Sequence, residues 1–258
     1  MIGIPKYVRT SKGIRLASQV VAVQGGSRVS RPQEGALVHA EAAQNALEQL
    51  QAAAASSGGW ISWGSWESAA ADPIVSFVAS WTVPPAPLQG AGQLVYLFNA
   101  LQDAAGAHIL QPVLQWGSSP ALNSGPYWGL ASFWVGGKDD PMYCTEFIRV
   151  SPGVTVTGRM EVSLQQNGLY SCSCSFDGFP GTQLTAQNLT ALVNACVTLE
   201  AYDIGPGAPY PAIGGTDFTG IAVQLDSGPP ALDWVPSGGA TISSDGTVEV
   251  VYPVAATS

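Results

Sequence analysis

The feature that most constrains the fold is a succession of short apolar runs, each closed by a turn signal. From residue 60 onward, about ten or more such runs follow one another at hairpin spacing. The turns include Asn-Gly at 167–168, Asp-Gly at 177–178 and Asp-Gly at 245–246, which are dipeptides that favour tight reversals. Short, regularly spaced strands with little helix between them predict an all-β, two-sheet antiparallel β-sandwich.

Residues 1–59 differ in character from the rest of the chain. Within them, residues 34–55 are rich in Ala, Gln, Glu and Leu and show a helical repeat of apolar positions. Ser-Ser-Gly-Gly at 56–59 ends this predicted helix. We therefore predict a basic N-terminal extension with one helix at 1–59 and a β-sandwich domain at 60–258. For residues 183–193 the sequence leaves open a short helix or a segment that covers a sheet edge.

Charge is scarce and unevenly distributed. Charged residues make up 10% of the 258 residues, and the formal net charge is −9. Residues 1–59 carry six basic and three acidic residues, whereas residues 60–258 carry three basic and fifteen acidic residues. A body this acidic can neutralise few phosphates, which argues against nucleic acid as a partner. It also gains little positive charge in acid, so we expect tolerance of low pH, ordinary solubility being the alternative explanation of the charge.

The apolar runs and the cysteines bear on membranes and redox state. No apolar run is long enough to span a bilayer, and the first 15 residues lack the apolar stretch of a signal peptide. Cys172 and Cys174 would share a strand face, so each could pair with Cys144 or Cys196 but not readily with the other. Disulfides and buried reduced thiols are equally open, and no Cys/His spacing indicates zinc.

Two polar side chains interrupt otherwise apolar strands. Gln111 lies within Ile-Leu-Gln-Pro-Val-Leu at 109–114, and Glu200 lies within an apolar run at 195–203. Burying an unpaired amide or carboxyl group costs roughly a few kcal/mol, so each needs a partner or solvent. Strand alternation places Tyr202 on the face of Glu200. Two such residues in a chain with so few charges indicate a candidate site.

Common catalytic motifs are missing. His108 is the one histidine in residues 60–258 and adjoins no nucleophile motif, so a Ser-His-Asp triad is not indicated. A Walker loop and a dinucleotide fingerprint are also missing. A retaining glycosidase would need a second carboxylate about 5 Å from Glu200, for which Glu146 and Glu161 are candidates. The Asp-Asp pair at 139–140 is a weak calcium-ligand candidate and is more typical of a solvated turn.

Six short motifs follow one another in a distinctive order. They are a Trp-rich strand at 60–66, Thr-Val-Pro at 82–84, Ile-Leu-Gln at 109–111, an aromatic strand at 127–134, Val-Ser-Pro-Gly at 150–153 and Val-Thr-Leu-Glu at 197–200. In this order they resemble the glutamic peptidases, the eqolisin family of acid proteases. The resemblance covers roughly residues 60–225 and implies a sandwich of the concanavalin-like kind.

The resemblance implies that Gln111 and Glu200 are catalytic. Glu200 would act as general base on a water and then as general acid to the leaving amine, while Gln111 would hold that water and donate to the oxyanion. A carboxylate base works best near its own pKa, about 4.3 if unperturbed, which implies an acidic optimum. The candidate substrate-binding residues are Phe98, Trp128, Trp134 and Tyr202.

The resemblance also implies a secreted endopeptidase that acts on polypeptides. We expect a monomer with no cofactor and no metal, which binds neither nucleic acid nor membranes. The basic residues 1–59 have the right sign for a pro-segment that pairs with the acidic body at neutral pH and is released in acid. A plain extension docked on the sandwich is the alternative.

The sequence departs from the family pattern in two places. The family's Trp-x-Gly-Ile-Asp-Gly segment corresponds to Leu-Phe-Asn-Ala-Leu-Gln at 97–102, and the acidic residue usual in the aromatic strand is replaced by Ala-Ser at 131–132. These departures leave a second interpretation open, in which the domain is a catalytically silent binding module whose exposed tryptophans stack on carbohydrate.

Overall fold

The computed structural model describes the backbone of four short N-terminal strands and, in full, residues 59–68, 72–87, 92–106, 108–119, 122, 124–136, 143–202 and 210–253. The predicted helix at 34–55 and the Asp-Asp pair at 139–140 lie outside the described residues. Within the described part the chain is all-β, and no helix occurs there.

Nineteen strands make up the described part of the chain. They are, in order, β1 (Tyr7–Thr10), β2 (Gly13–Leu16), β3 (Val20–Val21), β4 (Arg28–Val29), β5 (Gly59–Glu67), β6 (Ile74–Thr82), β7 (Leu94–Asp103), β8 (Ile109–Trp116), β9 (Trp128–Val135), β10 (Tyr143–Cys144), β11 (Ile148–Arg149), β12 (Thr155–Leu164), β13 (Tyr170–Phe176), β14 (Phe179–Leu189), β15 (Leu192–Tyr202), β16 (Gly215–Leu225), β17 (Val235–Ser237), β18 (Thr241–Ile242) and β19 (Val248–Val251).

Two antiparallel sheets form the sandwich, as the turn pattern predicted. The first, here called the site sheet, has the order β17-β5-β15-β7-β8-β9-β10-β1-β2, with β11 paired to β9. The second sheet has the order β14-β13-β12-β6-β16-β19-β18, and β3 and β4 form a separate pair. Because β1 pairs with β10, the β1–β2 hairpin continues the site sheet with backbone from the basic N-terminal segment.

The main core lies between the two sheets and follows from strand alternation. In β6, Phe77 and Trp81 are buried while Ser76 and Ser80 point outward. The Trp81 ring contacts Phe176 of β13 and Phe218 of β16, with ring centroids 5.6 and 4.8 Å from its own. Each such side chain contributes roughly 1.5–3 kcal/mol by leaving water, so the aromatic centre is a large part of the sandwich's stability.

The structure decides two points that the sequence left open. Residues 183–193 form no helix, because they belong to β14 and β15, and β14 is itself the edge strand of the second sheet. Leu184 and Ala186 are buried there and alternate with more exposed polar residues, which is a strand pattern. All four cysteines lie within the described residues and are buried thiols without a disulfide.

Candidate active site

The site sheet has two different faces. Its inner face packs on the second sheet, whereas its outer face carries a second apolar cluster. The buried members of this outer cluster are Phe98, Ala100, Val113, Leu122, Ala131, Phe133, Cys144 and Cys196. We call this outer surface the site face.

Gln111 and Glu200 both lie on the site face. Paired residues of neighbouring strands share a face, and the register pairs Glu200 with Tyr96 on β7 and Tyr96 with Gln115 on β8. Gln111 is four residues from Gln115 along β8, so it points to the same side. The structure thus places the two predicted catalytic residues on one surface, on strands separated by β7.

Aromatic side chains surround Glu200. Tyr96 of β7 and Trp60 of β5 are its cross-strand partners. Tyr202 lies two positions further along β15 and donates its hydroxyl hydrogen to Oε1 of Glu200. The rings of Tyr96 and Tyr202 meet edge to face with centroids 6.3 Å apart. Among the residues that the structure describes, the carboxyl group therefore has one hydrogen-bond donor, in a setting that is otherwise largely aromatic.

This setting changes the acidity of the carboxyl group. Although part of Glu200 is open to solvent, desolvation by its neighbours raises the pKa of Glu200 to about 7, and the hydrogen bond from Tyr202 partly offsets the rise. Burial and the nearby Glu200 carboxylate raise the pKa of both Tyr96 and Tyr202 well above the ordinary value for tyrosine. Both phenols therefore stay protonated at physiological pH, while Glu200 can exchange a proton near neutrality.

Gln111 has an unsatisfied amide oxygen. Its cross-strand partner on β9 is Phe133, and its neighbours on the site face are mostly apolar. Oε1 of Gln111 is buried and has no hydrogen-bond partner among the described residues. An acceptor left in this condition costs about 1–3 kcal/mol, so such groups call for a functional explanation. The side chain is therefore poised to accept a hydrogen from a bound molecule.

A second amide on the same face has no such capacity. Gln115 is fully buried, and its Nε2 donates to the carbonyl of Gly117 at 2.7 Å and to Ser124 at 3.2 Å. Its oxygen accepts from the hydroxyl of Ser119 at 3.4 Å. Gln115 holds the loop after β8, whereas Gln111 is the amide on this strand with an unused oxygen.

No direct hydrogen bond joins Gln111 to Glu200 in the described part of the chain. Tyr202 donates to Glu200, and the oxygen of Gln111 has no partner. The register puts Glu200, Tyr96 and Gln115 in one row across β15, β7 and β8, whereas Gln111 lies four residues from that row along β8. Four residues along the strand and two strand spacings put the Cα atoms of Gln111 and Glu200 roughly 16 Å apart, which is too far for one water to contact both side chains.

The predicted substrate-binding residues fall into two groups. Trp128 and Trp134 point into the core between the sheets and are 1% and 6% exposed, so their assignment to the groove needs correction. Trp134 pairs with Leu110, the neighbour of Gln111, and alternation therefore turns it to the opposite face. Phe98 lies on the site face but is fully buried, so it forms the floor of the surface.

Two tryptophans on the site face were missed in the sequence. Trp60 and Trp63 are three residues apart, which in a regular strand puts them on opposite faces. A register shift pairs Ser62 with Leu199 but Trp60 with Glu200, and it brings both indoles to the side of Glu200. Their rings meet edge to face at 5.7 Å, and both residues are partly exposed. Nothing in the local sequence marks this shift.

The alternative acid residues lie elsewhere. Glu161 is on β12 of the second sheet, where it accepts a hydrogen bond from Ser76. Glu146 is exposed in the segment between β10 and β11. The second carboxylate that a retaining glycosidase requires is therefore not supplied by either candidate.

His108 pairs with Asp103 at 2.5 Å beside the β7–β8 turn and stacks on Trp134.

Comparison with solved structures finds proteins with a similar sandwich architecture. The sandwich is similar in fold to a glutamic peptidase. A structure of scytalido-glutamic peptidase with a transition state analog inhibitor matches with a TM-score of 0.50 and 14% identity, covering 76% of this chain and 99% of that one. A second scytalido-glutamic peptidase structure, with a peptide-based transition state analog, matches with a TM-score of 0.49 at the same identity and coverage.

A third match is SCP-B, a member of the eqolisin family in complex with the tripeptide Ala-Ile-His. Its TM-score is 0.47 and its identity 15%, with 76% of this chain and 99% of that chain covered. No family model and no curated protein matches the sequence. Among the described residues, no helix is long and apolar enough to cross a membrane.

Proposed function

We propose that this protein is an endopeptidase in which Glu200 activates a water molecule and Gln111 helps to hold the polypeptide on the same sheet face. The observation that carries the proposal is the presence, on one sheet face, of a carboxyl group with a near-neutral pKa and an amide oxygen that has no partner in the described part of the chain. The fold shared with a glutamic peptidase supports the reaction class.

The chemistry needs two proton transfers. Ionised Glu200 takes a proton from a water while the water oxygen attacks the peptide carbonyl carbon. The amide of Gln111, further along the same face, hydrogen-bonds a peptide group of the bound substrate and so helps to hold the scissile bond beside Glu200. Protonated Glu200 then gives its proton to the peptide nitrogen as the C–N bond breaks, which regenerates the carboxylate.

The pH range of this reaction follows from Glu200. An unperturbed carboxylate predicts an acidic optimum, but the pKa of Glu200 is raised to about 7. At pH 4 only about one molecule in a thousand would then carry the ionised base. We therefore propose a kcat/KM that rises with pH up to about neutrality, so that the optimum lies above that of an exposed carboxylate.

A polypeptide substrate is part of the proposal. The partly exposed Trp60 and Trp63 beside Glu200 are suited to contact apolar side chains of such a substrate. A secreted location, a monomeric state and the release of residues 1–59 remain predictions of the sequence. Limited proteolysis at pH 7 and pH 3.5 tests the release, because equal protection at both values contradicts a switch.

Cleavage of a denatured protein substrate between pH 2 and 8 tests the proposal. We expect activity in the wild type, its loss in Glu200→Gln and a higher KM in Gln111→Ala, while Gln187→Ala, an exposed position on β14, keeps the wild-type activity. No cleavage by the wild type at any pH would contradict the peptidase. In that case binding of soluble oligosaccharides, followed by tryptophan fluorescence, tests the silent carbohydrate-binding module, which the partly exposed indoles of Trp60 and Trp63 favour.

A further inference from the structure

Tyr202 was predicted to bind substrate, but its hydroxyl group is already used inside the protein. It follows Glu200 by two residues on β15, shares the site face, and donates to Oε1 of Glu200. Its ring packs edge to face against Tyr96, which lies opposite Glu200 on β7. Tyr96 in turn hydrogen-bonds with Ser119 of the loop after β8. The hydroxyl of Tyr202 is therefore held in place from two strands and a loop.

We propose that Tyr202 is a positioning residue that fixes which oxygen of Glu200 takes part in the reaction. Because Oε1 is occupied by the hydroxyl of Tyr202, Oε2 is the oxygen left to take the proton from water. This inference rests on the proposed peptidase function and replaces substrate binding as the role of Tyr202. It adds a third side chain to the pair that the family resemblance implied.

The groups around Glu200 make this hydrogen bond important. Among the described residues, the titratable groups that face it are Tyr96 from β7 and Tyr202 and Cys196 from β15, while β5 contributes Trp60. Burial raises the pKa of the Cys196 thiol to about 12, so this group stays neutral as the phenols do. Within the described ranges no cation contributes to the shifted pKa of Glu200, and the Tyr202 hydroxyl is the group there that favours the charged form of Glu200.

The titration of Glu200 itself tests the inference without any substrate. Carbon-13 NMR follows the Glu200 carboxyl signal, which Glu200→Gln assigns by its loss. We expect Tyr202→Phe to raise the midpoint by about half a pH unit or more, since a donor to the carboxylate is removed. A 3-fluorotyrosine at position 202, a stronger donor of the same shape, should lower it. Tyr170→Phe on β13 of the second sheet is the matched control and should change nothing.

Kinetics separate positioning from substrate binding. We expect Tyr202→Phe to lower kcat roughly tenfold with little change in KM, and to move the acid limb of kcat/KM upward with the carboxyl midpoint. A higher KM with unchanged kcat and unchanged acid limb would return Tyr202 to substrate binding. If the wild type cleaves no peptide, the peptidase proposal fails by itself. The NMR titration still decides this inference, because an unmoved midpoint in both Tyr202 variants overturns it.

Discussion

Glu200 lies directly opposite Tyr96 in the register of β15 and β7, and both side chains occupy the outer face of the site sheet. Trp60 lies opposite Glu200 on the other neighbouring strand, so the carboxyl group is set between aromatic residues. Water is a better solvent for a carboxylate than these rings are, and the pKa of Glu200 rises to about 7 as a result. The aromatic setting of Glu200 therefore affects both the reactivity of its carboxyl group and the stability of the folded protein.

The raised pKa should make stability fall as the pH rises. Between the ordinary value of about 4.5 and the folded value of about 7, the folded state holds a proton that the unfolded state has released. The contribution of Glu200 is thus fully present below pH 4.5 and is lost as the pH rises through 7. Urea unfolding should show up to about 3 kcal/mol lost from this group over that range, at about 1.4 kcal/mol per unit.

Glu200→Gln should remove most of that pH dependence, since glutamine mimics the protonated form without titrating. Glu146→Gln, at an exposed position, is the control and should keep the wild-type slope. Equal slopes for wild type and Glu200→Gln would contradict the desolvated setting of this carboxyl group.

Replacing Gln111 by leucine should stabilise the fold by about 1 kcal/mol while raising KM for peptides, because it removes a buried acceptor that has no partner among the described residues. Gln115→Leu is the matched comparison on the same strand. It should cost about 2 kcal/mol or more, since Gly117, Ser119 and Ser124 all lose a hydrogen-bond partner. Denaturant unfolding measures both changes, and similar losses for the two variants would be the contrary result.

The tryptophans of the two faces should respond differently to truncation. Trp128→Ala removes a core side chain that is 1% exposed and should cost about 3–5 kcal/mol. Trp63→Ala lies on the site face, is partly exposed, and should cost clearly less. We expect it instead to raise KM for peptides with kcat nearly unchanged. An unaltered KM would remove Trp63 from the substrate surface.

Gly158 should tolerate no side chain. A Cβ atom there would lie 2.2 Å from Oδ1 of Asn99 and 2.7 Å from Cγ of Pro112, where β12 crosses the site sheet. Asn99 also donates to the carbonyl of Gly158 at 3.2 Å, so neither partner can move freely. Gly158→Ala should cost about 2 kcal/mol or more in thermal unfolding, whereas Gly214→Ala, with open space around it, should be nearly neutral.

The sequence was sufficient for those features that depend on neighbours along the chain. Alternation and turn dipeptides predicted the strands and the antiparallel sandwich, and alternation correctly placed Tyr202 on the face of Glu200. Alternation also applies to β9, where Trp134 is three residues beyond Ala131 and therefore lies on the opposite face. That face is the core. Alternation alone does not say which face of β9 is the core face. That choice depends on how β9 pairs with β8.

Strand pairing decided the remainder, because it joins residues far apart in sequence. Tyr96 and Trp60 became neighbours of Glu200 only through the register of β7 and β5 against β15. A register shift of one residue in β5 brings Trp60 and Trp63 to the same side of the sheet, and the periodicity of the sequence does not predict this shift. The strands and the fold class were therefore readable from the chain itself. The acidity of Glu200 and the unpaired oxygen of Gln111 were not, since solvent exclusion depends on what the whole fold packs around a group.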